Sequence, residues 1–334
     1  MMKKMIGSIL LIIILLAAFI IYSVLKIRYT PSVSITRPDS TLNENIRQLY
    51  KHVEHLSVRI GSRSVYEYDK IEETKNYIIS RLEDFGYDPT LQNCNYGGKV
   101  YSNIIVSING ARNPDETVII GAHYDTVYGT PGADDNAGAV AILLEMCRIL
   151  KGFSPERTLK LIFFVIEEPP VFRSENMGSA VYAREAKAKN ENVKAMISLE
   201  MLGYYTDKKG GQTFPLPLMN LMFSSTPNFI AVVGNLSSRN LVEKVNHSLK
   251  ESCGIPVETL STVSFVPGVD FSDHRSFWKM GYPAVMITDT AFYRNPNYHT
   301  ETDTIDTLNF DKMSDLLKGM VNVAKNLAMT SSSR

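Results

Sequence analysis

Apolar residues recur at helical spacing over Thr41–Val58 and again over Tyr68–Phe85, where Asp69 and Glu72–Glu73 stand near the start and Gly86 follows the end. Acids in a first turn suit the helix dipole and a glycine suits a helix stop, so two helices are predicted. From Asn103 onward the period changes. Short apolar runs at Asn103–Ile108, Thr117–Gly121, Leu159–Ile166, Ala195–Leu199, Phe229–Val233 and Ala284–Thr288 have the length of strands. Helical spacing returns at Ala137–Leu150, Ser179–Lys189, Ser238–Glu251 and Asp311–Leu327. Strands alternating with helices predict an α/β fold, with a mixed, largely parallel central sheet and helices on both faces.

One stretch ahead of this body follows neither period. Met5–Leu25 is 21 residues without a charge, and Ile9–Ile21 within it is almost purely Ile, Leu, Ala and Phe. A helix of about 20 apolar residues spans a bilayer core, whereas the core of a cleavable signal runs to about 7–15 residues. No A-x-A site follows before Lys26, so residues 1–28 are expected to form an uncleaved, single-pass membrane anchor. Lys3 and Lys4 lie on one side, Lys26 and Arg28 on the other; the short N-terminal flank favours N-in, with the folded body extracytoplasmic. Residues 29–40 (YTPSVSITRPDS) read as a linker, 41–329 as one folded domain and 330–334 as a tail.

Composition adds exclusions. The chain has 35 Lys and Arg against 35 Asp and Glu, so it carries no net charge, and no nucleic-acid partner is expected. Three cysteines, Cys94, Cys147 and Cys253, allow at most one internal disulfide, and Cys147 sits in an apolar helical run as a core residue. Asn235-Leu-Ser237 and Asn246-His-Ser248 match the glycosylation acceptor triplet. His52 and His55 flank Glu54 with the spacing of a metal pair, but a solvated helix face is the expected reading.

Candidate chemistry gathers at strand ends, which is where open α/β sheets bind ligands. His123 and Asp125 follow one predicted strand, Glu167 and Glu168 a second, and Glu200 a third; Asp134 and Asp135 precede a helix, and His299 follows the last strand. Adjacent carboxylates closing an apolar strand repel each other, and a divalent cation relieves that repulsion directly. Alone, each acid before a helix reads as an N-cap. Together, two histidines and four or five carboxylates at successive strand ends predict a metal site.

Five motifs in order then resemble a known family: Gly121-Ala-His-Tyr-Asp-Thr126, Gly132-Ala-Asp-Asp-Asn-Ala-Gly138, Phe164-Val-Ile-Glu-Glu168, Ser272-Asp-His-Arg-Ser-Phe277, and Tyr298-His299 with Asp303-Thr304. Over roughly residues 45–328 the chain is similar to the family-28 zinc metallopeptidases. That family includes secreted bacterial aminopeptidases, aminopeptidase Y, glutamate carboxypeptidase and the divergent glutaminyl cyclases. The resemblance implies the zinc aminopeptidase (phosphorylase/hydrolase-like) sandwich and two Zn2+ per chain. It implies His123 and Glu200 on one ion, Glu168 and His299 on the other, Asp135 bridging, and Glu167 as general base. It further implies that Asp125 orients a metal-bound imidazole and that Tyr298 bonds the developing oxyanion. Asp273 and His274 read as supporting residues rather than ligands. Glu200 is a departure, being one methylene longer than the family's usual aspartate, and Pro169-Pro170 opens an insertion that reshapes the pocket wall.

The expected function is a membrane-anchored exopeptidase acting on peptides, most simply an aminopeptidase. Recognition of a terminal carboxylate would need a basic cluster, and none is located. A single-zinc, glutaminyl cyclase-like acyltransferase is the enzymatic alternative, and a non-catalytic, receptor-like peptidase fold the other. The proline-containing loops Phe214–Thr226 and Ile255–Asp270 are expected to line the pocket.

Overall fold

The computed structural model describes residues 40–329. The expected anchor, most of the linker and the tail lie outside these residues. Among the described residues no helix is long and apolar enough to cross a membrane.

Helix α1 (Ser40–Val53) runs into a π-helical segment, Glu54–Ile60, and is followed by α2 (Tyr68–Asp84). The strands are β1 (Thr90–Tyr96), β2 (Lys99–Ile108), β3 (Asn113–His123), β4 (Arg157–Phe164), β5 (Asn192–Glu200), β6 (Ile230–Asn235), β7 (Val257–Thr262) and β8 (Ala284–Thr288). They form one sheet in the order β1-β2-β4-β3-β5-β8-β6-β7. At its centre β4, β3, β5 and β8 run parallel. The antiparallel β1–β2 pair closes one side, and β6, antiparallel to β8, carries β7 at the other. This is the mixed α/β architecture that the alternating pattern predicts. β1 and β7 are additions to it, both at sheet edges.

Alternate residues of a strand face opposite sides. On β3, Val118, Ile120 and Ala122 therefore join a large core under α1, α2, α3 (Ala139–Ile149), α5 (Arg239–Ser252) and α7 (Phe310–Ala328). Ile119 joins a smaller core under α4 (Gly178–Ala188) and α6 (His274–Lys279). Because α3 is buried from Ala139 through Cys147, it also buries Glu145. That carboxylate needs partners, and Arg148 Nε at 2.8 Å and His52 Nε2 at 3.3 Å supply them. His52 is thus buried and not on a solvated face; its Nδ1 meets Tyr77 Oη at 2.7 Å, and His55 stacks on the same ring at 3.8 Å. The reason is tertiary: α1 turns His52 toward the one acid inside α3.

All three cysteines are buried and free. Asn246 is buried in α5, and Asn235 Oδ1 caps the turn before that helix by accepting from Ser238 N at 2.9 Å. Of the two acceptor asparagines, Asn246 is buried and Asn235 half-buried.

Candidate metal centre

The parallel strands deliver their carboxyl ends to one rim. His123 is the last residue of β3 and Glu200 the last of β5. Glu167 and Glu168 follow the apolar run Leu159–Ile166, which was expected to be strand to its end. Instead β4 ends at Phe164, Ile166 takes a left-handed φ of 51°, and the two acids lie in the turn beyond. Main-chain bonds orient them. Asp125 Oδ1 accepts the N–H of Glu167 and Oδ2 that of Glu168, each at 3.0 Å. Its backbone carbonyl, 3.2 Å from His123 Nδ1, is closer to that ring than its carboxylate at 3.6 Å.

Asp303 repeats the device on the other acidic pair, accepting from Asp134 N at 2.9 Å and Asp135 N at 3.0 Å. Asn136 then ties this loop to both sides of Glu200: its Nδ2 donates to the Leu199 carbonyl and its Oδ1 accepts from Met201 N, each at 3.0 Å. Asp134 turns away from the rim centre, accepting from Gly203 N at 2.8 Å and Asn295 Nδ2 at 2.7 Å. Ser272 Oγ donates to Glu200 Oε2 at 2.7 Å and sets where that oxygen of the longer side chain lies.

These supports bring five of the predicted side chains together. His123 Nε2 is 3.3 Å from Asp135 Oδ1 and 3.4 Å from Glu200 Oε2. His299 Nε2 is 3.1 Å from Asp135 Oδ2 and 3.4 Å from Glu168 Oε2. Donors on a zinc tetrahedron with bonds of about 2.0–2.1 Å stand ~3.3–3.4 Å apart. Asp135 thus divides its oxygens between two donor sets, and its buried Oδ1 has no hydrogen-bond partner among the described residues. An imidazole and carboxylate set of this spacing, with an orphaned oxygen, fits zinc.

Electrostatics point the same way. Burial pushes Glu167 well above the usual carboxylate range, with Glu168, Glu200 and Asp273 adding and His123 opposing. Burial likewise raises Glu200, and raises Glu168 to about 8 with Asp135 adding. For Asp135 burial acts upward too, but the neighbouring imidazoles of His123 and His299 outweigh it and hold the group below its ordinary value. Burial disfavours charge on both imidazoles, yet the surrounding acids win, raising His123 well above its usual value and His299 to about 10. The rim holds an excess of buried acid, whose mutual repulsion a bound cation would relieve.

The remaining predicted residues lie around this group. Tyr298 stacks on His299, with ring centroids 3.7 Å apart. Asp273 is fully buried; burial raises it to about 7, with Glu200 and Asp125 adding and His123 opposing. His274 bonds the Val269 carbonyl at 2.8 Å and packs edge-on against Trp278. Beside Glu200 and Tyr298 opens a cleft walled by Phe214, Phe223, Phe229, Leu260, Phe271 and Met286. Both proline-containing loops contribute to it, through Phe214–Phe223 and through Pro267–Val269. Asn136, Ser272 and Asp303 were missed as supports; only their place inside the quoted motifs marked them.

A mixed sheet whose parallel centre gathers buried acids and imidazoles at zinc spacing on its carboxyl rim, next to an apolar cleft, defines a metal-dependent hydrolase. The profile of Peptidase family M28 matches residues 103–324, and the chain belongs to that family, as a metallopeptidase. It is 38% identical over 333 residues to the uncharacterized protein YfbL of Escherichia coli K12, across 97% of this chain and 99% of that one. It is 27% identical over 286 residues to a probable leucine aminopeptidase of Arthroderma otae, across 79% of this chain and 68% of the relative. Among solved structures, a zinc aminopeptidase from Bacillus subtilis superposes with a TM-score of 0.66 at 14% identity, over 86% of this chain and 96% of that one. A Bacteroides thetaiotaomicron glutaminyl cyclase gives 0.63 at 19% identity, over 84% and 97%. The likeness to both structures is one of fold.

Proposed function

We propose that the protein is a membrane-anchored di-zinc aminopeptidase that removes apolar residues from the N-termini of peptides. One observation carries this reading: Asp135 sets Oδ1 3.3 Å from His123 Nε2 and Oδ2 3.1 Å from His299 Nε2, and each imidazole has a second carboxylate, Glu200 or Glu168, 3.4 Å away. His123, Asp135 and Glu200 would hold one ion, and Asp135, Glu168 and His299 the second. Bound there, zinc supplies Lewis acidity that brings the pKa of water toward neutrality and polarises a carbonyl.

The chain's own groups do the rest. Glu167, buried at the rim beside Glu168, suits a base that takes a proton from the attacking water and passes it to the leaving amine. Tyr298, at the junction of His299 and the cleft, is placed to donate to the developing oxyanion. The rim carboxylates attract the free amine of the substrate, which restricts cleavage to chain ends. The cleft takes the first side chain, and fully burying a Leu, Met or Phe there is worth ~1.5–3 kcal/mol. The uncharged stretch Met5–Leu25 supports attachment to a membrane with the body on the extracytoplasmic side.

Elemental analysis of the purified protein, together with hydrolysis of a panel of aminoacyl chromogenic substrates, tests the proposal. Two zincs per chain and faster release of Leu, Met or Phe than of Asp or Gly are expected. One zinc with cyclisation of N-terminal glutamine would assign the chain to the cyclase chemistry instead. For the anchor, the full-length chain should stay with carbonate-washed membranes; its release would remove that part of the proposal.

A further inference from the structure

Arg63 lies in the turn between the π-helical segment and α2, in a polar stretch, Gly61-Ser-Arg-Ser64, that reads as surface loop. It is only 1% exposed. Its Nε donates to the Tyr124 carbonyl at 3.0 Å. Nη1 donates to the carbonyls of Leu56 at 3.0 Å, Gly61 at 2.7 Å and Pro131 at 2.8 Å, and Nη2 to that of Gly132 at 3.0 Å. Two acceptors belong to the N-terminal helical segment and its exit. Three belong to the irregular stretch between His123 and Asp135, one beside His123 and two close to Asp135.

The backbone adds a second link. Arg63 N donates to Thr126 Oγ1 at 2.9 Å, and Thr126 N returns a bond to the Arg63 carbonyl at 3.4 Å. The packing leaves no slack: at Gly132, with φ of 58°, a Cβ would run into Thr126 Cγ2 and the Asp135 carbonyl and meet Arg63 Nη2. The guanidinium charge is balanced through space by Asp303, Asp125, Asp135 and Glu168; burial lowers its pKa to about 10, which leaves it charged at neutral pH.

We infer that Arg63 is a positioning residue for the metal centre, clamping both halves of the loop from His123 to Asp135 so that the two side chains keep the spacing zinc requires. The inference rests on the zinc reading above. A planar fork reaches carbonyls on both halves of that loop at once, which the single nitrogen of lysine does not. Loss of the fork frees the loop between two ligands whose donor atoms must stay 3.3 Å apart.

The test is Arg63→Lys in the full chain, compared with the parent for zinc retained against graded chelator and for thermal unfolding. The folded variant is expected to hold zinc about 10–100-fold more weakly, the range found for residues that orient metal ligands. A lower melting temperature with parent-like zinc affinity, measured where the variant is fully folded, means a structural role alone and overturns the inference. Should the lysine variant fail to fold, Thr126→Val breaks one bond of the same brace and is expected to shed zinc several-fold faster; parent-like retention there overturns it equally. A parent chain that binds no zinc would overturn the zinc reading itself, an outcome visible before any variant is compared.

Discussion

Asp125→Asn probes how the acidic pair at the rim is held. The carboxylate accepts one N–H from Glu167 and one from Glu168, at 3.0 Å each, in a buried setting. An amide of the same shape keeps one oxygen and turns an NH2 group toward the other N–H. One charge-assisted bond is lost and a buried donor faces a donor. Bonds to charged groups are worth ~1.5–3 kcal/mol and an orphaned buried N–H costs ~1–3 kcal/mol, so even the low ends sum to about 2.5 kcal/mol. At ~2–4 °C per kcal/mol for a domain of this size, the melting temperature should fall by about 5–10 °C. The same two N–H groups carry the proposed base and one proposed ligand, so zinc affinity should also drop by ~10–100-fold. Thermal unfolding with and without chelator, and zinc content after dialysis, read both effects. An Asp125→Asn protein with parent melting temperature and parent zinc retention would refute the view that this carboxylate orients Glu167 and Glu168.

Other outcomes follow from the same geometry. Glu167→Gln should leave zinc content intact and lower turnover by ~10²–10⁴-fold, the usual loss of a general acid–base; near-parent hydrolysis would remove it from that role. Asp135→Asn should reduce occupancy of both zinc positions together, and two zincs at full occupancy would contradict a shared carboxylate. The pH dependence of the zinc-stripped chain has a definite sign. Burial raises Glu168 to about 8 and Asp273 and Asp303 to about 7, from ordinary values of 4.5 and 3.8. Groups raised on folding stabilise fully below their unfolded pKa and lose that contribution as pH climbs through the folded one. The stripped protein should therefore melt at falling temperatures from pH 5 to pH 8.5, and added zinc should restore more at the alkaline end. A stripped protein that melts higher at pH 8 than at pH 5 would contradict the buried acid excess.

The elements that carry the centre were readable because they are buried on both faces. β8 has the bounds its apolar run implies, Ala284–Thr288, and β5 ends on Glu200 just past the predicted run. The edges of the sheet were not readable. β1 (TLQNCNY) buries only Cys94 and β7 (VETLST) only Thr259, so neither shows an apolar alternation. Helix α6 spans six residues, too few for a period to show. The proposed ligands came from motif order. Their supports did not, because Asp303 grips main-chain N–H groups 168 and 169 residues away and Arg63 grips carbonyls up to 69 away. Main-chain partners leave no side-chain signature in a sequence. His52 was misread for a related reason: its burial depends on Glu145, 93 residues away on another helix.

Asp125 and Asp303 together explain how so much acid can share one buried rim. Each places two consecutive N–H groups on one carboxylate, and in both cases the residues so held are themselves acidic, Glu167–Glu168 and Asp134–Asp135. Repulsion among the clamped side chains acts on backbone that is fixed at two points and cannot relax by swinging apart. Asn136 extends the frame to Glu200, and Arg63 braces it from the far side of the loop. The imidazole nitrogens of His123 and His299 already lie 3.1–3.4 Å from the carboxylate oxygens. Metal loading in such a frame would exchange protons for zinc while the main-chain bonds that set the donor spacing stay untouched.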